Sequence, residues 1–202
     1  ILVVDDQAQN RLLVEAQLAA AGYDVLLAES GGKALALLEA RAGVDLILLD
    51  VMMPVMDGFE TCRRIRERAT TSAIPVLFLT ASHETTVHQQ ALASGGDDFL
   101  QKPIERTELI MRVRSLIRVA RLRRQRDQLL GLLVHDLKSP LSGIVLNAEF
   151  ALEETSGAAR DAIGDVLSAA DRMQRMIHDW IDLGRAEDGT LTAALATVPL
   201  DA

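Results

Sequence analysis

The chain has 202 residues, 49% of them hydrophobic but only 3% aromatic, with a formal net charge of −8. That length accommodates one or two domains with a real core, and an apolar fraction dominated by Ala and Leu favours helices. So acidic a balance argues against nucleic acid as a partner, and a single cysteine, Cys62, excludes an internal disulfide and suits a reducing, cytoplasmic compartment.

The first element is Ile1-Leu2-Val3-Val4, an apolar run ending in Asp5-Asp6. It starts the chain without Met or a hydrophobic leader, so further native residues are expected before it. The pattern then repeats: Leu46-Ile47-Leu48-Leu49 ends in Asp50, Val76-Leu77-Phe78-Leu79 ends in Thr80, and Phe99-Leu100 leads to Lys102-Pro103. A further short strand fits Val25-Leu26-Leu27, and amphipathic stretches fall near 9–20, 32–42, 58–69, 84–94 and 106–120. Continuous apolar strands alternating with helices predict a parallel sheet covered on both faces. Ligands bind such sheets at the carboxyl ends of the strands, which would gather Asp5, Asp6, Asp50, Thr80 and Lys102 at one edge. The longest apolar runs, such as 44–49, are broken by charge far short of the 18 or more residues a membrane span requires, so no span is expected.

Charge then divides the chain. Residues 1–104 hold fourteen acidic and eight basic side chains, residues 105–128 three and eight, and residues 129–202 twelve and five. The basic block spreads its arginines around a helix, as a solvated connector would. From Glu105 the pattern is helical almost throughout. The first long helix is expected to run past Lys138, tolerating Pro140 as a kink or local break. Ser156-Gly157 marks a turn. The returning helix places Ile163, Val166, Ala170, Met173, Ile177, Trp180 and Gly184 at alternating spacings of three and four, facing Leu130, Leu133, Leu137, Ile144 and Ala151 of the outgoing one. A lone helical hairpin buries little apolar surface, so a homodimeric four-helix bundle is expected.

Three neighbouring carboxylates repel one another when ionised, and a hard divalent cation, Mg²⁺ by preference, would relieve that repulsion and bind phosphate oxygens. Asp50 could then attack phosphorus, with a hydroxyl from Thr80 and the charge of Lys102 on the transferred group. Asp6 and Asp50 are 44 residues apart, Thr80 follows by 30 and Lys102 by 22. With Met53-Pro54-Val55-Met56-Asp57-Gly58 and Lys102-Pro103, this spacing strongly resembles the receiver domain of two-component response regulators. That resemblance implies a flavodoxin-like doubly wound (βα)5 domain over residues 1–120, Asp50 as phosphoacceptor and Phe99 as the switch aromatic that follows Thr80.

Downstream, His135 falls on the outermost face of the helical frame that puts Leu133 and Leu137 on the seam. An exposed imidazole near its ordinary pKa is substantially neutral and nucleophilic, and Asp136 could orient it or take a proton. The run His135-Asp136-Leu137-Lys138-Ser139-Pro140-Leu141 resembles the H-box of the dimerisation and histidine-phosphotransfer domain of sensor histidine kinases, over residues 125–186. It implies autophosphorylation of His135, Asp136 as acid/base helper and a phosphatase contribution from Ser139. Residues 180–191 resemble the exit from that hairpin toward an ATP-binding domain, no ATP-binding motif follows, and the chain reads as a fragment cut before its catalytic domain.

The expected organisation is therefore α/β followed by all-α. A receiver at 1–120 is followed by an overlapping helical, coiled-coil connector at 105–134 and the hairpin at 125–186. Residues 187–202 begin a linker. Expected partners are a second copy, a phosphodonor kinase or phosphotransferase, and a downstream receiver; ATP would act only through the missing domain. The competing readings are a non-enzymatic docking scaffold with His135 silent, or an ATP-independent phosphotransferase. His83, His88 and His178 lack metal-ligand spacing, Met52, Met53 and Met56 suit the mouth around Asp50, and Ser139 and Ser142 have no histidine-acid partners for hydrolysis.

Overall fold

The structure, a computed structural model, describes residues 1–41, 43–81, 89–91, 93–154 and 156–187. It divides into two compact units, Ile1–Arg123 and Arg124–Ala202.

In the first unit five parallel strands, β1 (Leu2–Val4), β2 (Leu26–Ala28), β3 (Ile47–Asp50), β4 (Val76–Thr80) and β5 (Asp98–Gln101), lie in the order β2-β1-β3-β4-β5. Helices α1 (Ala8–Ala19), α2 (Gly31–Ala40) and α3 (Gly58–Arg66) connect the first four strands. Successive side chains of a strand point to opposite faces, so runs apolar throughout must be covered twice. One core joins Leu2, Val4, Ile47, Leu49, Val76 and Phe78, on which Phe59 and Phe99 also pack. The other joins Val3, Leu48, Leu77, Leu79 and Leu100 to Val14 and Leu18 of α1 and to Leu109, Val113 and Ile117. Each fully buried side chain of this kind contributes about 1.5–3 kcal/mol. This is the flavodoxin-like doubly wound fold expected for the first domain.

Local chemistry sets the element ends. Ser30 caps α2 by accepting from the Lys33 amide at 3.3 Å, and Asp57 caps α3 by accepting from the Glu60 amide at 2.7 Å. Gly58 must lack a side chain, because a Cβ there would lie 2.3 Å from the Asp50 carbonyl oxygen. Between them, the Met56 amide donates to the Pro54 carbonyl at 2.8 Å around Val55, whose φ of 70° is rare for a β-branched residue. The Lys102-Pro103 bond is cis. Far from that edge, the Arg66 guanidinium donates to the carbonyls of Ser72, Ile74 and Gly95 and to the Asp97 carboxylate, tying together the chain entering β4 and β5.

The next helix, α4, runs over Arg106–Glu154. Leu109, Val113, Ile117 and Ala120 are its buried stripe in the first unit. Arg112 donates to Asp98 of β5 at 2.6 Å, fixing the start of the helix to the edge strand. Pro140 lies inside α4 without ending it, so the long helix runs past Lys138 and tolerates the proline as expected. Proline removes one backbone donor, and the helix continues on the bonds to either side. In the second unit Gly157, at φ 65°, precedes α5 (Ala158–Glu187). Leu141 and Ala170 are buried there, while Leu130, Leu133, Leu137, Ile144, Val166 and Met173 of the expected seam are exposed in the single chain.

By length and composition α4 also meets the test for a membrane-crossing helix: an 18-residue window has mean hydropathy 1.4 and at most two Asp, Glu, Lys or Arg residues. Uninterrupted apolar runs, the basis of the sequence expectation, do not reveal such a window.

Candidate functional site

Asp5 follows β1, Asp50 ends β3, Thr80 ends β4 and Lys102 follows β5, so the topology brings all four to the carboxyl edge of the sheet. Strands β2 and β3 flank β1 on opposite sides, and the crevice opens where the winding reverses. Asp5, Asp50 and Thr80 are only 1%, 4% and 2% exposed. The Lys102 ammonium donates to Asp5 Oδ2 and Asp50 Oδ1, both at 2.9 Å. Thr80 lies one residue beyond Leu79, the register partner of Asp50, and its carbonyl accepts from the Lys102 amide at 2.7 Å. Phe99 is half-buried on β5, against the first core.

One carboxylate oxygen from each of Asp5, Asp6 and Asp50 lies within 4.8 Å of the others. Asp6 Oδ1 is buried and has no hydrogen-bond partner. Buried polar atoms are rarely left unmatched, and an all-oxygen acidic cluster is the donor set a hard divalent cation prefers. The residues present therefore fit Mg²⁺, with the orphaned Asp6 oxygen as a ligand atom that protein alone does not satisfy.

Two residues that build this site carried no sequence signal beyond their position just after the acidic pair. Asn10 donates to both oxygens of Asp5 at 3.2 Å, and Arg11 donates to the Asp5 carbonyl at 2.6 Å. With the Gln7 amide, at 2.8 Å, they leave Asp5 a single orientation.

Burial pushes the Asp50 carboxyl up from its ordinary range; the Lys102 ammonium opposes that shift, and the charges of Asp5 and Asp6 add to it. Burial pulls Lys102 down, but its bonds to Asp5 and Asp50 outweigh this and raise it, so the ammonium stays charged. Because the folded-state pKa of Asp50 lies above its unfolded value, the folded protein binds more protons in the window between them. Metal-free stability should then fall as pH rises through that window. Asp50→Asn is expected to raise the melting temperature in EDTA at neutral pH, by about 2–4 °C for each kcal/mol of repulsion removed. Lys102 keeps Asp5 as a partner in this variant. Mg²⁺ should erase the advantage by stabilising only the unsubstituted protein, and calorimetry with and without Mg²⁺ reads both effects.

In the second unit His135 and Asp136 are 84% and 78% exposed on α4, with His135 Nδ1 3.3 Å from Asp136 Oδ1. Ser139 is exposed one turn on, and the Ser142 hydroxyl donates to the Lys138 carbonyl at 2.9 Å. A groove of about 430 Å³ between α4 and α5 has Val134, Leu141 and Ile177 in its lining and Lys138, Asp171 and Arg175 beside them. Cys62 is buried in the core of the first unit, and burial raises its thiol pKa. His83 and His88 lie outside the described residues, as does the expected linker from 188 on.

Comparison with known proteins agrees with this division. Residues 1–114 match the response regulator receiver domain and residues 125–189 the His Kinase A (phospho-acceptor) domain. Response regulator PleD of Caulobacter vibrioides is 51% identical over 118 residues, which are 58% of this chain and 26% of PleD. Transcriptional regulatory protein ResD of Bacillus subtilis is 43% identical over 120 residues, 59% of this chain and 48% of ResD. The chain thus spans about a quarter to a half of the length of these relatives. Among solved structures, the receiver domain of sensor histidine kinase PA1611 from Pseudomonas aeruginosa, with a magnesium ion coordinated in its active site cleft, is 34% identical. That match has a TM-score of 0.54 and covers 57% of this chain and 94% of that one. Chemotaxis protein CheY4 of Vibrio cholerae matches with 34% identity and a TM-score of 0.55, over 57% of this chain and 95% of that one. The chain belongs to the response regulator receiver family and carries behind its receiver a histidine kinase phospho-acceptor domain, the pairing of a two-component signalling protein.

Proposed function

We propose that Asp50 accepts a phosphoryl group and that this controls a histidine kinase core phosphorylated on His135. The observation that carries the first half is the buried junction in which Lys102 bridges Asp5 and Asp50 at 2.9 Å each. There the carboxylate attacks phosphorus as the bond to the donor's leaving group breaks. Asp5, Asp6 and Asp50 hold Mg²⁺, which when bound neutralises their charge and that of the phosphate oxygens. Lys102 sets a positive charge against the transferred group, and Thr80 donates its hydroxyl. Phe99, on the strand beside Thr80, is the aromatic that follows the change.

On the kinase side, the exposed His135 ring is the acceptor, Asp136 handles its proton, and Ser139 contributes to dephosphorylating a partner receiver. The receiver occupies 1–120, the connector 105–134 and the hairpin 125–186, with a linker from 187 toward an ATP-binding domain encoded elsewhere in the full protein. The exposed stripe Leu130, Leu133, Leu137 and Ile144 is the surface a second copy covers in a cytoplasmic homodimer. The low burial of the apolar window in α4, 6%, agrees with such a missing partner. Phosphorylation of Asp50 would bias the helix between two arrangements and so alter access to His135. Its outside partners are a phosphodonor for Asp50 and a receiver downstream of His135.

The full-length protein incubated with labelled ATP tests this. An acid-labile, base-stable label is expected and should vanish in His135→Ala. A label that survives the substitution, or none under any activating condition, rules out His135 as the acceptor.

A further inference from the structure

Asp5 uses its oxygens in a way that leaves one of them to a metal. Oδ1 accepts from the Gln7 amide at 2.8 Å, and Oδ2 accepts from the Lys102 ammonium at 2.9 Å. The side-chain amide nitrogen of Asn10 lies 3.2 Å from both oxygens. Equal distances place that nitrogen across the mouth of the carboxylate, where a cation held by both oxygens at once would sit. Lys102 also bonds Asp50, and it is the donor that an arriving cation displaces by charge. The Gln7 amide and Asn10 belong to the start of α1 and keep their places, so Oδ2 is the oxygen a metal can reach.

The local sequence explains why the mouth is closed. Gln7 precedes α1, and its side chain makes no capping bond. The Asp5 carboxylate takes over that role, accepting from the Gln7 amide, one of the donors a helix end leaves without an intrahelical partner. Asn10 is the third residue of α1. In a capping box the side chain at that position reaches back to the N-cap amide. Here it reaches further, to the carboxylate that already holds that amide. Asparagine suits the task, with a short stem and an NH₂ group that donates without carrying charge. An aspartate there would set a fourth carboxylate against Asp5, and a lysine or arginine would bring in a competing cation.

Cations differ in what they ask of a carboxylate. Ca²⁺ gathers about 6–8 oxygens and takes carboxylates bidentately, whereas Mg²⁺ is smaller, demands octahedral order and keeps several waters. We propose that Asn10 is a specificity-determining residue of the metal site: by closing the mouth of Asp5 it denies bidentate binding and favours Mg²⁺ over Ca²⁺. This rests on the metal site of the proposed function and adds the choice of ion. An ion that keeps waters has positions that phosphate oxygens can take, so the choice serves the phosphoryl transfer assigned to Asp50.

The test titrates the full chain with MgCl₂ and with CaCl₂ in a calorimeter at constant ionic strength. The unsubstituted protein should bind Mg²⁺ more tightly. Asn10→Leu, of similar size but without donors, should lower that preference by roughly tenfold, the scale on which partners behind a metal ligand act. Asn10→Gln keeps the amide on a longer stem and should retain more of the preference than leucine does. Melting in EDTA checks the fold without any ion, and a pocket merely loosened would lose both ions in proportion and keep their ratio. An unchanged ratio in Asn10→Leu, or the same ratio in the leucine and glutamine variants, overturns the inference. An unsubstituted chain that binds neither ion would sink the metal site of Asp5, Asp6 and Asp50 itself, and the inference with it.

Discussion

Replacing Asp50 by alanine is expected to abolish labelling of this chain by acetyl phosphate and Mg²⁺, with no slower route taking over. Asp5 is the other deeply buried carboxylate at the edge, but both of its oxygens are engaged by Asn10, and the Gln7 amide and Lys102 also bind it. Asn10 and the Gln7 amide fix its orientation, and the oxygen that Lys102 contacts is one for which a metal would compete. Asp6 has a free oxygen, yet that oxygen is the one the metal would use. Asp50 alone combines burial, a bridging cation and a place at the end of a central strand. Mass spectrometry after borohydride trapping would read the site. A modified Asp5 or Asp6 in the variant would show that the pocket does not select its nucleophile as argued.

Lys102→Ala should retain the nucleophile and lose most of the rate. Removing a preorganised charge from the transition state of such a reaction costs about 10²–10³-fold. Two further readouts separate that role from a structural one. Lys102 opposes the upward shift of Asp50, so its loss raises the Asp50 pKa further. The acid limb of the labelling-pH profile should therefore move to higher pH. Lys102 also competes with a cation for Asp5 and Asp50, so Mg²⁺ should bind the variant at least as tightly as the parent. A variant with slow labelling, weak Mg²⁺ binding and an unmoved profile would mean that the lysine merely holds the pocket together.

The aspartate site was legible in the sequence for a physical reason. A strand buried on both faces must be apolar along its length, so a polar residue at its end stands out. In a parallel sheet those ends share one edge. That logic located Asp5, Asp50 and Thr80, and carried to Lys102 beyond β5. Asn10 was invisible to it, because its value lies in reaching back to both oxygens of Asp5 and any polar residue in a first helical turn looks alike. Likewise Arg112 reads as one more arginine of a basic helix until β5 brings Asp98 beside it. Pro140 inside a long helix was legible because the loss of one donor leaves the bonds to either side in place, and the helix that contains it spans 49 residues. The seam of the hairpin was legible as spacing, but spacing does not say which part a chain buries by itself: Leu141 and Ala170 are covered within it and Leu133 and Leu137 are not.

Gly58 carries a consequence of its own. The first residue of α3 rests on the main chain of Asp50 with no clearance for even a methyl group. The depth of the reactive carboxylate in its crevice is thereby indexed to the seat of a neighbouring helix rather than to side chains that can repack. Evolution can revise the rim of this pocket freely, one residue at a time, but its floor can be altered only by moving a helix.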